Sequence, residues 1–283
     1  MSKQLPYQRG FTLIELSIVL VIIGLITGSV LVGRDLIKAA AIRAAVSQME
    51  RYNAAVHTFQ TKFDNNIPGD MSATDAQRFG LFPGPGNNNG IIDADGTING
   101  VVVGSQGNCG EATVFWRHLS DAGMIEGSYG VNGAGALDPA TGYPTAMLGG
   151  NPFPLTSIYL FIPQSKMGGG MFVLIRTAGN FVNYTGVNYG EYYTSGLTSM
   201  SQAGWGASLL LTPHQVRSVD VKMDDGMPFT GRVQSTSGVG GWAATPTAGV
   251  CVYGVALTNP TDQYNIVNGN GDIEACGMKV AIQ

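Results

Sequence analysis

The sequence Gly10-Phe11-Thr12-Leu13-Ile14-Glu15-Leu16, together with the apolar run that continues to Gly33, decides the fold. The 18 residues from Leu16 to Gly33 contain no charged side chain and are rich in Leu, Ile and Val. At about 1.5 Å per residue, a helix of this length crosses most of a hydrocarbon layer of roughly 30 Å. The sequence therefore predicts a transmembrane helix over about residues 11–33.

The ten residues before this helix predict its orientation. Residues 1–10 include Lys3 and Arg9 and no acid, and short basic flanks stay on the cytoplasmic side of a membrane. The bulk of the chain is then extracytoplasmic. A secretory signal peptide is disfavoured because no small-x-small cleavage site follows the apolar run. A simple single-span anchor remains an alternative.

Glu15 argues against a simple anchor. Its carboxylate lies inside the apolar segment, where a charge costs on the order of 3 kcal/mol unless a partner pairs with it. The apolar run offers no such partner. A partner from a second chain would remove this cost.

The segment Gly10-Phe11-Thr12-Leu13-Ile14-Glu15 resembles the processing site of type IV prepilins and type II secretion pseudopilins. In that family a prepilin peptidase cuts the leader on the cytoplasmic side and methylates the new amino terminus. The resemblance implies a cut between Gly10 and Phe11, methylation of Phe11, and pairing of Glu15 with the amino terminus of a neighbouring subunit. It also implies a helical homopolymer, inserted in the inner membrane before assembly and built by pilus or secretion machinery.

Charge is distributed unevenly along the chain. Of the 283 residues, 44% are hydrophobic and only 12% are charged, which permits a sizeable core in one or two domains. Residues 34–62 hold five basic and two acidic side chains, whereas residues 63–283 hold eight and sixteen, a formal charge of −8. A head of this sign is a poor candidate for sequence-independent nucleic-acid binding through its net field, although a local basic patch remains open.

An apolar stripe continues the helix beyond Gly33. Its members are separated by three or four residues, which is the spacing of one helix face. We expect an α+β fold of the pilin type: a leader over 1–10, a long helix over 11–63 and a globular head over 64–283, with the stripe lying on the antiparallel sheet of the head. The stripe consists of Ile42, Val46, Met49, Tyr52, Val56, Phe59 and Phe63.

The head pattern predicts two further helices and several strands. Residues 111–124 have helical spacing, and Thr212-Pro213-His214-Gln215 has the form of a capping box that opens a helix ending near Gly226. β-branched and aromatic runs predict strands, and segments rich in Gly, Ser and Asn predict long loops. The predicted strands are Ile158–Ile162, Met171–Arg176 and Val250–Leu257; the predicted long loops are 127–157 and 183–206.

The chain has three cysteines, Cys109, Cys251 and Cys276. An extracytoplasmic location permits disulfides, and three cysteines leave one thiol over. Resemblance to pilins, many of which staple a loop near their C-terminus, implies the pair Cys251–Cys276. Cys109 is then a buried free thiol, with an intermolecular bridge as the alternative.

Acidic clusters raise the question of a metal site. Asp220 and Asp224 are four residues apart near a helix C-terminus, where like charges repel and the helix dipole disfavours anions. Asp220, Asp224 and Asp225 are therefore candidate calcium ligands, and a solvated helix end with a tight turn is the alternative. The acidic residues within 93–95 and 268–274 lack the EF-hand register and predict turns.

No catalytic constellation is visible. His57, His118 and His214 are scattered, and the sequence contains no nucleophile elbow, Walker A motif or paired Cys-x-x-Cys. We therefore expect a structural filament subunit and no enzyme activity. The alternatives are a periplasmic secretion pseudopilin and a minor pilin whose head is a tip adhesin.

Glycines interrupt the transmembrane helix. Gly24 and Gly28 have the small-xxx-small spacing that permits close helix packing. Local unwinding of this region, which occurs in some pilins, is the alternative; many of those pilins have a proline here, and this chain has none.

Overall fold

The chain divides into two compact units, Met1–Ala41 and Ile42–Gln283. The boundary lies within the first helix. The computed structural model describes residues 11–90, 92, 97–98, 101–102, 110–147, 155–168, 171–176, 191–201, 204–208, 210–236, 251–253, 263–266, 270–274 and 276–282.

The first helix, α1, extends from Leu13 to Lys62 and confirms the long helix predicted from the sequence. Of its N-terminal part, the large apolar side chains from Phe11 to Ile37 are exposed. The most apolar 18-residue window of α1 contains no buried residue, and the helix is long and apolar enough to cross a membrane.

The second unit adds three helices and an antiparallel sheet, which confirms the α+β class. The helices are α2 (Ala73–Arg78), α3 (Glu111–Asp121) and α4 (Pro213–Met223); the strands are β1 (Thr97–Ile98), β2 (Val101–Val102), β3 (Met171–Arg176), β4 (Glu191–Ser201), β5 (Gly204–Ser208), β6 (Val233–Thr236), β7 (Val252–Tyr253), β8 (Gln263–Tyr264) and β9 (Gly277–Ala281).

The main sheet has the strand order β3-β4-β9-β6, and β5 pairs with the distal part of β4. All of these pairs are antiparallel. Strand β9, the last of these strands in the sequence, therefore lies between β4 and β6 in the interior of the sheet. β1 with β2 and β7 with β8 form two separate two-stranded ladders.

The apolar stripe of α1 is buried as predicted, except that Val46 is only partly buried. Its ring contacts are with α3 and with the end of α2: Tyr52 lies 4.9 Å from Trp116, and Phe63 lies 5.3 Å from Phe79, measured between ring centroids. The sequence predicted that the stripe would lie on the sheet. Packing of the stripe directly on the sheet stays a prediction, and α3, which contacts the stripe through Trp116, packs against β3.

Two of the predicted strand and loop assignments are wrong. Residues 155–160 form a 3-10 helix, so the strand predicted at Ile158–Ile162 is not present. The buried residues Ile158, Phe161 and Ile162 have helical spacing, while Tyr159 between them is 54% exposed. The predicted loop 183–206 contains β4 and the start of β5, because β4 pairs with strands distant in sequence.

Helix α4 begins as the sequence predicts. The Thr212 hydroxyl accepts a hydrogen bond from the Gln215 N–H at 3.2 Å, and the Gln215 amide oxygen accepts one from the Thr212 N–H at 2.8 Å. This reciprocal pair satisfies two N–H groups that the first helical turn leaves open. Of the predicted strand Val250–Leu257 the structure describes residues 251–253, of which Val252–Tyr253 form β7.

A disulfide joins Cys251 and Cys276, whose Cα atoms are 5.3 Å apart. Both cysteines are fully buried. Cys276 also forms a two-hydrogen-bond bridge with Leu211, at the entrance to α4. The disulfide thus joins the residue before β7 to the residue before β9. Cys109 lies outside the described residues.

His118 on α3 fastens the segment after α1 to the core. The ring is fully buried; its Nδ1 accepts from the Gly69 N–H at 3.0 Å, and its Nε2 lies 2.7 Å from the Phe82 carbonyl oxygen. These contacts fit the tautomer protonated at Nε2. Burial lowers the pKa of His118 to about 4, because the charged ring would lose its hydration.

We expect removal of the disulfide to destabilise the second unit. The two cysteines are separated by 25 residues, and closing such a loop stabilises a fold by about 3 kcal/mol in the chain-entropy estimate. Cys251→Ser combined with Cys276→Ser should lower the free energy of urea unfolding by about that amount, measured by Trp fluorescence in detergent. Peptide mapping that links Cys109 to either cysteine would contradict the pairing.

We expect His118 to make the protein less stable in acid. The folded pKa of about 4 is below the ordinary 6.5, so its contribution is complete above pH 6.5 and is lost as the pH falls towards 4, where the unfolded chain binds the proton first. His118→Gln should remove this part of the pH dependence. His57→Gln, at an exposed position of α1, is the matched control; an identical profile for both variants and wild type would contradict the assignment.

Candidate functional site

The start of α1 is the part of the chain in which the sequence concentrates functional residues. α1 begins at Leu13, so Thr12 precedes the first helical residue and Glu15 is the third. The Glu15 N–H donates to the Thr12 hydroxyl at 3.3 Å, and the Thr12 N–H donates to the Glu15 carboxylate at 2.8 Å. This is a capping box.

The Thr12 hydroxyl also donates to the same Glu15 oxygen, at 2.9 Å. The carboxylate thus accepts hydrogen bonds from two donors of Thr12, a contact that the sequence prediction did not include. The Thr-x-x-Glu pattern was the signal that would have revealed them. Both donors are neutral, however, so they satisfy hydrogen bonds and leave the negative charge of Glu15 without a countercharge.

The structure describes only one of the two residues that flank the predicted cut. Phe11 is 91% exposed, so the described part of the chain covers little of it. Gly10 lies outside the described residues. Cleavage after Gly10, methylation of Phe11 and intermolecular pairing of Glu15 stay predictions.

The glycines of the apolar helix contact no other part of the chain that the structure describes. A Cβ atom placed on Gly24, Gly28 or Gly33 would have no atom within 4 Å outside the helix itself. Packing within one chain therefore gives no reason for these glycines. A reason must come from what surrounds the helix, either lipid or a second copy of it.

The second candidate site lies between α4 and β6. The carboxylates of Asp220, Asp224 and Asp225 offer oxygens that all lie within 4.8 Å of one another. Asp220 is fully buried, whereas Asp224 and Asp225 are exposed. The structure thus brings together the three acids that the sequence singled out.

The oxygens of these acids are already hydrogen-bonded by the loop that follows α4. Asp224 accepts from the N–H groups of Arg232 and Val233, and its carboxylate lies against Gly231, where a side chain would collide with it. Asp225 accepts from the Met227 N–H at 2.8 Å and from the Thr230 hydroxyl at 2.5 Å. The two exposed acids therefore fold the loop, which accounts for their presence without a metal.

Asp220 is held by Tyr264 and Gly226, whose hydroxyl and N–H donate to it at 2.7 and 3.0 Å. Burial raises the pKa of Asp220 to about 7; these two hydrogen bonds oppose the rise and the neighbouring carboxylates add to it. A divalent cation would favour the ionised form. The three acids fit calcium in ligand type, since calcium takes carboxylate oxygens, but they supply fewer than its usual six to eight ligands.

The comparisons with known proteins bear on the first site. Residues 5–31 match the family described as the prokaryotic N-terminal methylation motif, the prepilin-type cleavage and methylation segment of type IV pilins and pseudopilins. This confirms the resemblance noted in the sequence. No curated protein and no solved structure matches the chain.

We expect the calcium prediction to be decided by thermal unfolding. If calcium binds, a concentration ten times its dissociation constant should stabilise the protein by about 1.4 kcal/mol and raise the melting temperature above that in chelator. Asp224→Asn, which keeps one oxygen for the loop N–H groups, should lose the response, and Asp272→Asn, at an exposed acid of another loop, should keep it. Identical melting curves in calcium and in chelator would return the three acids to a loop-folding role.

Proposed function

We propose that this chain is a pilin, a structural subunit of a type IV pilus-like helical surface filament, cut and N-methylated by a prepilin peptidase before assembly and without enzyme activity. One observation carries the proposal. The prepilin-type segment over residues 5–31 opens a helix whose apolar surface is left in solvent by the chain itself.

An apolar surface of this extent is unfavourable in water and is stabilised when lipid or protein covers it. Each exposed Leu, Ile or Val side chain gains roughly 1.5–3 kcal/mol when it is transferred from water to an apolar environment, and the exposed run extends from Phe11 to Ile37. The bilayer is the cover before assembly. In a filament, the equivalent helices of other copies take the place of the bilayer. Subunits would reside in the inner membrane before assembly, and the assembled filament would lie outside the cell.

The charge of Glu15 supports a polymer. The capping box satisfies its hydrogen bonds but supplies no positive charge. Cleavage before Phe11 would create an α-amino group at the same end of the same helix. In a filament, that group on one copy is available to Glu15 of the next, which removes the cost of an isolated carboxylate among apolar helices.

The glycines of α1 fit the same proposal. Because no atom of the chain approaches them, Gly24 and Gly28 are free to form a close contact with the helix of another copy. A single-span anchor has no need for such a contact. Glycine also costs up to about 1 kcal/mol in a helix relative to alanine, which favours a role in packing over chance.

Two alternatives share every observation at the N-terminus. A secretion pseudopilin would form a short periplasmic fibre, and a minor pilin would be a tip adhesin. Abundance in sheared surface filaments separates the major subunit from both. The adhesin alternative gains support from a cavity of about 470 Å³ in the second unit.

We expect Glu15 variants to separate the helix-cap role from the charge role. Glu15→Gln keeps an amide oxygen for the capping box but removes the charge, whereas Thr12→Val keeps the charge and removes the hydroxyl. Cells that make only Glu15→Gln or Glu15→Leu should insert and cut the chain yet yield at least tenfold fewer sheared filaments. Thr12→Val should assemble nearly as wild type. The measurements are filament yield by electron microscopy and mass spectrometry of the mature chain.

Processing is controlled for in the same cells. Gly10→Val should leave an uncut precursor in the inner membrane and no filaments, and wild-type subunits should partly restore incorporation of Glu15→Leu. Wild-type yield from cells that make only Glu15→Gln would contradict the pairing role. Normal assembly of uncut Gly10→Val would contradict the prepilin assignment itself.

A further inference from the structure

A cavity of about 470 Å³ lies within the second unit. Its walls come from three separate parts of the chain: the second half of α1, the residues that follow α3, and the residues around and after the 3-10 helix Leu155–Leu160. The volume is in the range of small-molecule sites, about 300–1,000 Å³. Neither the filament proposal nor the acidic cluster makes use of this cavity.

A buried amide holds two of these walls together. Gln48 of α1 is only 4% exposed. Its Nε2 donates to the Gln164 carbonyl oxygen at 2.8 Å, and its Oε1 accepts from the Lys166 N–H at 2.8 Å. Both groups of one side chain thus bind a segment more than a hundred residues away, so the cavity is preformed and not a gap between mobile loops.

Three tyrosines, Tyr52, Tyr129 and Tyr159, contribute to the apolar part of the lining, together with Met124, Ile125 and Pro163. Tyr52 is buried, and its hydroxyl accepts from Gln48 at 2.9 Å; Tyr159 also lines the cavity and is 54% exposed. Tyr129 packs against Gly127, which has φ +101, and a Cβ at that glycine would lie 2.9–3.1 Å from the atoms of the ring. Because Gly127 has no side chain, the Tyr129 ring can lie against it and form part of the cavity wall.

Two cations and one acid complete the lining: Arg51, Lys166 and Glu126. All three are exposed. Among the described residues, the ion pairs are Arg78–Asp64 and Arg117–Asp121, so neither cation of the cavity is neutralised by a neighbour. Arg51, Lys166 and Glu126 together carry a net positive charge. Residues 63–283 as a whole have twice as many acidic as basic residues.

We propose that this cavity binds a carboxylate-bearing saccharide, such as an oligosaccharide of uronic acids. The guanidinium of Arg51 and the ammonium of Lys166 recognise the carboxylates. The tyrosine rings offer flat apolar faces to the sugar rings and hydroxyls to their edges. The Glu126 carboxylate accepts hydrogen bonds from sugar hydroxyls.

The test measures binding of trigalacturonic acid to the full chain, purified in a detergent without a sugar headgroup, by isothermal titration calorimetry. We expect saturable binding with a dissociation constant in the low millimolar range or tighter, which weakens as salt is added. Maltotriose, a neutral trisaccharide, should not bind. Galacturonic acid as a monomer should bind more weakly, which distinguishes recognition of a chain from recognition of one acidic sugar.

Matched variants locate the site. Arg51→Gln and Lys166→Gln should each weaken binding at least tenfold, and Tyr159→Ala, at a position more than half exposed, should weaken it without affecting the melting temperature. Arg43→Gln on the same helix and Lys222→Gln on α4 remove an exposed cation outside the cavity and should bind as wild type. The proposal is overturned if neither galacturonate probe binds saturably, if maltotriose binds equally well, or if the control variants lose as much affinity. Binding is measured on unassembled chains, so these outcomes are independent of filament formation.

Discussion

The rest of the molecule depends on one constraint, an apolar helix surface that the chain does not cover. From Phe11 to Ile37 the large side chains of α1 are exposed, and transfer of such side chains out of water is the dominant favourable term in association. The helix that carries this surface is long and apolar enough to cross a membrane. In the second unit, by contrast, most of the large apolar residues that the structure describes are buried in one core, and Tyr159, Val221 and Ile273 are exposed.

The second unit is held by a small number of buried polar contacts within that core. His118 fixes the segment after α1, Gln48 joins α1 to residues 164–166, and Asp220 anchors the loop after α4. Each group is buried with its hydrogen bonds satisfied, and such groups are costly to leave unpaired. They therefore specify how distant segments meet, while the apolar residues and the disulfide provide most of the stability.

The strand predicted at Ile158–Ile162 and the loop predicted at 183–206 were both wrong for a physical reason that they share. A run such as Ile158–Ile162 is too short for its periodicity to separate a strand from a helix, and only burial of Ile158, Phe161 and Ile162 on one face shows the helical spacing. The segment 183–206, which contains β4, is rich in Gly, Ser and Tyr, a composition typical of loops. The hydrogen bonds of β4 come from β3 and β9, which lie elsewhere in the sequence, so a local pattern does not reveal them.

The sequence by itself determined what depends on neighbours along the chain. This includes the prepilin-type segment, the long helix, the buried stripe and the capping box at Thr212, because helix periodicity and capping act over three or four residues. Tertiary structure alone decided that the stripe meets α3, that β9 lies between β4 and β6, and that the oxygens of Asp224 and Asp225 fold a loop. It alone also placed Arg51 and Lys166 on one cavity. Such contacts join residues that are far apart in the chain. Contacts that close long loops produce no periodic pattern in the sequence.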